Sequence, residues 1–446
     1  MRPSRSFRIS KSKVFLTLSV CLAINSISHA QPNRCVLIVI EDLRPEFVTG
    51  AEMPNLSSLA RKGVSLSSHH AVYPAVPIVN AVSILRGSYP RTHGIVDNTV
   101  DFPAARLKAK YPNRVISASM PNLSRALYAA RPQSQITSII DRNAWVVDNY
   151  FTDKYKPPYI TLWFVGRDKK DEIGSTEHLR ILNEIDALIG TIIKEHKKRK
   201  MDVNLFITSS GSTLTPIGEP HSLADLLIQR GLKSSHSSED VIIKNNQISV
   251  ENQDLRKIRE VVVLLQKTSW IGAVYTQQIR VTHPEGKAKG ALSFQSVYIN
   301  HETSPDILVE PVWTDAPNAH GIRGTKSRIG EGESGTSSPY ALRIPFIAFG
   351  PDIKRKLKSN VPSANLDLSS TIHHIVGYTI PDSMDGRILH EILVGGPDPE
   401  DVKVLRRRHG AEVELEGLRY KLMMTEYSVE GVDYFDSTRT ERFLKD

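Results

Sequence analysis

The chain has 446 residues, with 57 Lys and Arg against 48 Asp and Glu, for a formal net charge of +9. Five of the basic residues (Arg2, Arg5, Arg8, Lys11 and Lys13) lie in the first thirteen positions, so the rest is only mildly basic and does not point to nucleic acid or anionic lipid. Two cysteines, Cys21 and Cys35, exclude a disulfide scaffold, and the length suffices for one large core, with or without an insertion.

The basic start, the apolar run from Val14 to Ile27 and the closing Ser28-His29-Ala30 read as a secretory signal peptide over residues 1–30, with cleavage before Gln31 and export to the periplasm or medium. The run is short for a bilayer span, and no second stretch of about 20 apolar residues follows. Val20 before Cys21 makes a poor lipobox. After processing only Cys35 remains, in an apolar run where a buried thiol is expected.

Cys35 to Ile40 is apolar without alternation, the pattern of a central parallel strand covered on both faces. Tyr159 to Val165, Val203 to Thr208 and Pro345 to Phe349 read the same way, with helices between them. Leu179, Leu182, Ile185, Ile189 and Ile192 keep the spacing of one helix face. Gly63 and Gly377 read as left-handed helix stops. Residues 213–325 are less regular and are expected to form a smaller lobe over the sheet edge. The charged tail, residues 396–446, reads as a helix and an extended segment packed on the outside. In such sheets ligands bind beyond the carboxyl ends of the strands, which singles out Glu41, Asp42 and residues 166–171 and 209–212.

Those strand ends carry a resemblance. Val36-Leu37-Ile38-Val39-Ile40-Glu41-Asp42-Leu43-Arg44-Pro45, Met53-Pro54-Asn55-Leu56, Tyr73-Pro74 through Asn80, and Gly87-Ser88-Tyr89-Pro90-Arg91-Thr92-His93-Gly94 resemble the opening of the type I phosphodiesterase/nucleotide pyrophosphatase family of the alkaline phosphatase superfamily. Asn318-Ala319-His320-Gly321, Ser338-Pro339-Tyr340, Phe349-Gly350-Pro351 and Met384-Asp385-Gly386-Arg387 continue it in order. The resemblance implies an α/β fold over residues 31–395, a mostly parallel sheet sandwiched by helices. It also implies a Thr nucleophile at a helix N-terminus and two zinc ions bridged by the substrate phosphate.

Carried over position by position, the machinery is largely absent. Glu41 stands at the Asp that closes the first strand, with Asp42 where Gly is usual. Pro77 stands at the nucleophile, three residues before a retained Asn80 whose counterpart donates to a phosphate oxygen. Arg167 and Asp171 occupy the Asp and His of the next ligand pair, Ser209 and Ser210 the Asp-His of another, and Ser334 a last His. A prolyl ring has no hydroxyl, serines are poor zinc ligands and a guanidinium repels a cation. His69-His70, His93, His320 and His373-His374 read as packing or structural residues.

The expectation is therefore an exported pseudoenzyme with no cofactor, no nucleic-acid partner and no transmembrane segment in the mature chain. It would bind an unknown protein or an anionic small molecule, with Arg167 and Asn80, and the amides around Pro77 and Ile78, as a metal-free anion site. The alternative is a metal-dependent phosphoester or sulfoester hydrolase with a non-standard site around Glu41 and Asn80.

Overall fold

The computed structural model describes residues 34–97, 113–117, 138–152, 157–278, 285–330 and 335–444. The expected signal peptide and Ser334 lie outside the described residues.

The main sheet is built from β1 (Arg34–Ile40), β2 (Val64–Leu66), β3 (Asn113–Ser117), β4 (Tyr159–Phe164), β5 (Val203–Ser209), β6 (Phe346–Phe349) and β7 (Leu357–Ser359), in the spatial order β7-β2-β6-β5-β1-β4-β3. β1 pairs in parallel with β4 and β5, and β3 in parallel with β4, while β6 runs antiparallel to both its neighbours. Burial on both faces explains the unbroken apolar run: Cys35 to Ile40 are each at most 1% exposed. This is the mixed, mostly parallel α/β architecture expected from the sequence.

Helices cover both faces. In Thr176–Lys198 the Ser175 hydroxyl caps the N-terminus by accepting from His178 N, and Ile181, Leu182, Ile185, Ile189 and Ile192 are buried along one side. Asp186, on the same helix, turns its carboxylate to the N-terminus of Pro54–Lys62, accepting from Asn55 N (3.0 Å) and Leu56 N (2.8 Å). That pairing of a buried anion with free helix amides locks the two helices together. On the opposite face Pro77–Arg86 packs against Asp367–Val376, where Ser369 Oγ donates to Ile84 O.

Two expectations need correction. Gly377 takes the left-handed conformation (φ +75°), but Gly63 does not (φ −103°); a Cβ there would sit 2.1 Å from Ala348 O, so close passage of β6 demands the glycine. Among the described residues the charged tail contains no such helix. After Pro399–Asp401 it forms an antiparallel meander of β8 (Val404–Leu415), β9 (Leu418–Val429) and β10 (Val432–Leu444). Its inner residues Tyr420, Leu422, Met424, Tyr434 and Phe435 belong to the main hydrophobic core. The tail is thus an integral layer, tied in where Tyr420 OH donates to Gly272 O (2.9 Å) and Arg343 grips Asp436 (2.8 and 2.9 Å).

Within residues 213–325 lies a second sheet, ordered Leu292–Ser293, Ile271–Thr276, Ile307–Pro311, Gln247–Val250, Val241–Lys244. Helix Leu255–Lys267 covers it, burying Ile258, Val261, Val262 and Leu265 in a core of its own. Thr215–His221, Arg323–Ile329 and Trp313–Pro317 make a small third sheet beside the carboxyl ends of β4 and β5.

Candidate functional site: the strand ends

The chain turns sharply out of β1 at Glu41 and Asp42. Asp42 has φ +57°, a left-handed conformation that explains why glycine suits this position. Gly166, at the end of β4, lies against it so closely that a Cβ would meet Glu41 O at 1.9 Å. Glu41 Oε1 accepts from Trp163 Nε1 at 2.7 Å.

Across this narrow gap lies Arg167, 7% exposed. Its Nε donates to Asp42 Oδ2 (3.1 Å), its Nη1 to Asp171 O (2.6 Å) and Asp168 O (3.2 Å), and its Nη2 to Thr213 Oγ1 (2.8 Å). Asp42 Oδ1 in turn accepts from Thr213 N (2.9 Å) and Oγ1 (3.1 Å). One guanidinium therefore ties together the loops that follow β1, β4 and β5, the three loops that carry the expected ligand positions. The tie is to Asp42 and the Asp171 carbonyl, while the Asp171 carboxylate keeps one buried oxygen without a hydrogen-bond partner.

The other positions fall as follows. Pro77 is the first residue of its helix, and Val76 before it supplies no side-chain cap. Asn80, wholly buried, holds the preceding loop: its Oδ1 accepts from Val72 N (2.7 Å) and Asn365 Nδ2 (3.0 Å), and its Nδ2 donates to Val72 O (2.9 Å) and Val76 O (3.3 Å). The amide hydrogens of Asn80 and the guanidinium of Arg167 are thus engaged with separate protein partners. Ser209 and Ser210 are buried, and Ser209 Oγ donates to Gly211 O (3.0 Å).

The two zinc ions implied by the resemblance do not fit this donor set. A fixed cation holds Asp42, serine hydroxyls stand at the end of β5, and among the described residues no group of three or more His, Cys, Asp or Glu is gathered. The histidines are held within the fold. His69 Nε2 donates to Asn365 Oδ1 (3.2 Å), and burial pushes it down to about 3. His93 Nδ1 accepts from Ile95 N (3.1 Å) and burial likewise pushes it down to about 3. His70 lies between Asp436 Oδ1 (3.0 Å) and Ser363 O (3.1 Å). His373 faces Ser369 O (2.6 Å), and His320 stands 3.7 Å from Glu172.

Two features went unread in the sequence. Glu310 is buried in Ile307–Pro311 and accepts from Tyr73 OH (2.6 Å), Tyr275 OH (3.2 Å), Ser337 N (3.0 Å) and Ser337 Oγ (2.6 Å); burial pushes its carboxyl up while these donors oppose the shift. The signal was a single acid in the apolar stretch Ile307-Leu308-Val309-Glu310. The second is a cavity of about 480 Å³ beyond β4 and β5. Five cationic side chains line it, Arg167, Lys169, Lys170, Lys326 and Arg328, against the carboxylates of Asp171 and Glu172, and Pro216, Pro220 and Ile329 give it an apolar wall. No short motif marks it, because its walls come from four separate stretches of chain.

The sequence profile described as type I phosphodiesterase / nucleotide pyrophosphatase matches residues 35–126. An uncharacterized pyrophosphatase/phosphodiesterase of Schizosaccharomyces pombe is 22% identical over 219 residues, 39% of this chain and 43% of the relative. A venom phosphodiesterase of Macrovipera lebetinus is 42% identical over 48 residues, 11% of this chain and 6% of the relative. The matches thus span less than half the length of these curated relatives. Murine and human ectonucleotide pyrophosphatase/phosphodiesterase 5 share the fold with a TM-score of 0.59 and 15% identity, covering 81% of this chain and 100% of theirs. The murine protein has also been solved as an inactive variant in complex with AMP. Over residues 35–126 the chain is thus similar to the type I phosphodiesterase/nucleotide pyrophosphatase family, and it shares the fold of the solved relatives.

Proposed function

We propose that this chain is an exported, non-hydrolytic member of its family that binds an anionic ligand in the basic cavity beside Arg167. The observation that carries the reading is the guanidinium tie: Arg167, at one expected ligand position, binds Asp42 and Thr213 across the ends of β1, β4 and β5. A positive side chain held there by a carboxylate disfavours a divalent cation, and Pro77 supplies no oxygen to attack phosphorus. Where a family hydrolase would use metal charge to hold a phosphate, Lys169, Lys170, Lys326 and Arg328 offer their own.

Zinc content of the purified chain and hydrolysis of bis(p-nitrophenyl) phosphate test the reading together. The expected result is less than one zinc per chain and no turnover above buffer. One or more zinc ions per chain together with turnover would instead favour a hydrolase built around Glu41. Export is tested by the N-terminus of the mature protein, expected at Gln31.

A further inference from the structure

We propose that β8 is a self-pairing edge, through which two copies of the chain join their C-terminal meanders into one six-stranded antiparallel sheet. This goes beyond the ligand reading and stands independently of it. β8 is the outer strand of its sheet, and among the described residues no further strand lies along its free side. Twelve residues long, it is an unusually extended open edge, of the kind that proteins ordinarily shorten or cover.

Which backbone groups face that edge follows from the hairpin. Leu415 pairs with Leu418 across a two-residue turn, so they form the hydrogen-bonded pair beside it, and alternation along the ladder follows. Arg406, Arg408, Gly410, Glu412 and Glu414 therefore turn their N–H and C=O groups away from β9, and all five are exposed. These groups are what a second antiparallel strand would engage.

The side chains specify which strand. Centred on Gly410, the row reads Arg406, Arg408, Gly410, Glu412, Glu414: cations on one side, carboxylates on the other, at equal spacing. An antiparallel copy related by a two-fold axis through Gly410 places Arg406 opposite the second copy's Glu414, and Arg408 opposite its Glu412. Symmetry repeats both pairs. Glu412 and Glu414 already share Arg419 within the meander, so the arriving arginines would extend an alternating row of charge. On the other face the same register sets Leu405, 45% exposed, opposite the partly buried Leu415 of the second copy. Gly410 meets only Leu422 O at 3.3 Å around an added Cβ, and as glycine it lets two backbones cross closely at the axis. Sliding the register by two residues would put Gly410 opposite Arg408 or Glu412 and break the match.

Sedimentation equilibrium of the full chain tests this. The wild type is expected at twice the chain mass, and Arg406→Glu/Arg408→Glu, which sets carboxylates against carboxylates, is expected at the chain mass with a cooperative thermal melt retained, lowered only by the lost association. Glu412→Arg/Glu414→Arg is likewise expected to be monomeric. Mixing the two variants makes every pair complementary again and is expected to restore the dimer mass. A wild type that stays monomeric at all concentrations, or an Arg406→Glu/Arg408→Glu chain that dimerises as the wild type does, would overturn the proposal. Because these side chains are exposed, a loss of folding is not expected and would show in the melt.

Discussion

The Arg167 guanidinium lies 3.1 Å from the Asp42 carboxylate and joins the ends of β4 and β1, with Thr213 from the loop after β5 bound to both. Arg167 is 5% and Asp42 16% exposed at the side chain, so each charge depends on the other for compensation. Arg167→Ala should destabilise the fold by about 3 kcal/mol, the range seen when one member of a buried pair is removed. Arg167→Ala/Asp42→Gly should recover part of that loss, because it removes the stranded carboxylate and relieves a left-handed backbone. Urea unfolding of the three proteins measures both effects; a double variant weaker than the single one would contradict the account.

Pro77→Thr places a hydroxyl on the first residue of its helix without adding any carboxylate or imidazole at the ends of β4 and β5. The expected outcome is a folded protein with no detectable turnover of bis(p-nitrophenyl) phosphate. Turnover from this one change would show that other residues assemble a competent metal site.

Asn80 makes four hydrogen bonds inside the fold, three of them to the backbone of Val72 and Val76. Asn80→Ala should leave the buried Val72 N–H and C=O without these partners and cost about 2 to 3 kcal/mol. If Asn80 instead served chiefly to hold an anion, thermal stability in phosphate-free buffer would be nearly unchanged.

Three buried histidines predict acid sensitivity. Burial pushes His69 and His93 down to about 3 and His178 down to about 4, so each is neutral in the fold. The unfolded chain takes up their protons first, near the ordinary value of 6.5. Their stabilising contribution is therefore complete above that value and is lost as pH falls toward the folded values, by about 1.4 kcal/mol per pH unit for each group. Asp367 runs the other way: burial pushes it up to about 6, so it favours the fold at low pH and loses that effect as pH rises through about 6. The net expectation is a stability loss beginning just below pH 6.5, on the order of 5 kcal/mol by pH 5. His93→Gln, which keeps a neutral donor toward Ser83, should make the urea midpoint less dependent on pH over that interval.

The basic cavity predicts binding of p-nitrophenyl phosphate, whose charge suits the cations and whose ring suits Pro216, Pro220 and Ile329. Arg328 is exposed and makes no ion pair among the described residues. Arg328→Glu should weaken binding about tenfold, and added salt should weaken it further, by isothermal titration. Equal affinity in both proteins would move the ligand elsewhere.

Much of the architecture was written in short-range patterns. The unbroken apolar run of β1, the three-to-four spacing of Thr176–Lys198 and the spacing from Pro77 to Asn80 each arise within a few turns of chain, where local periodicity reports burial directly. The positions at which a nucleophile and metal ligands were expected could likewise be named, because they lie at fixed offsets from landmark residues. The guanidinium tie at those positions was not, since Asp42, Arg167 and Thr213 are 125 and 171 positions apart from first to second and from first to third. Nor was the tail: Leu418, Tyr420, Leu422 and Met424 alternate as a strand should, yet the charged composition suggested a helix and an extended segment on the outside. Sequence determined which groups could do chemistry, since functional groups belong to residues. Tertiary structure alone decided which of them meet, because topology brings strand ends and the meander together over distances no local period encodes.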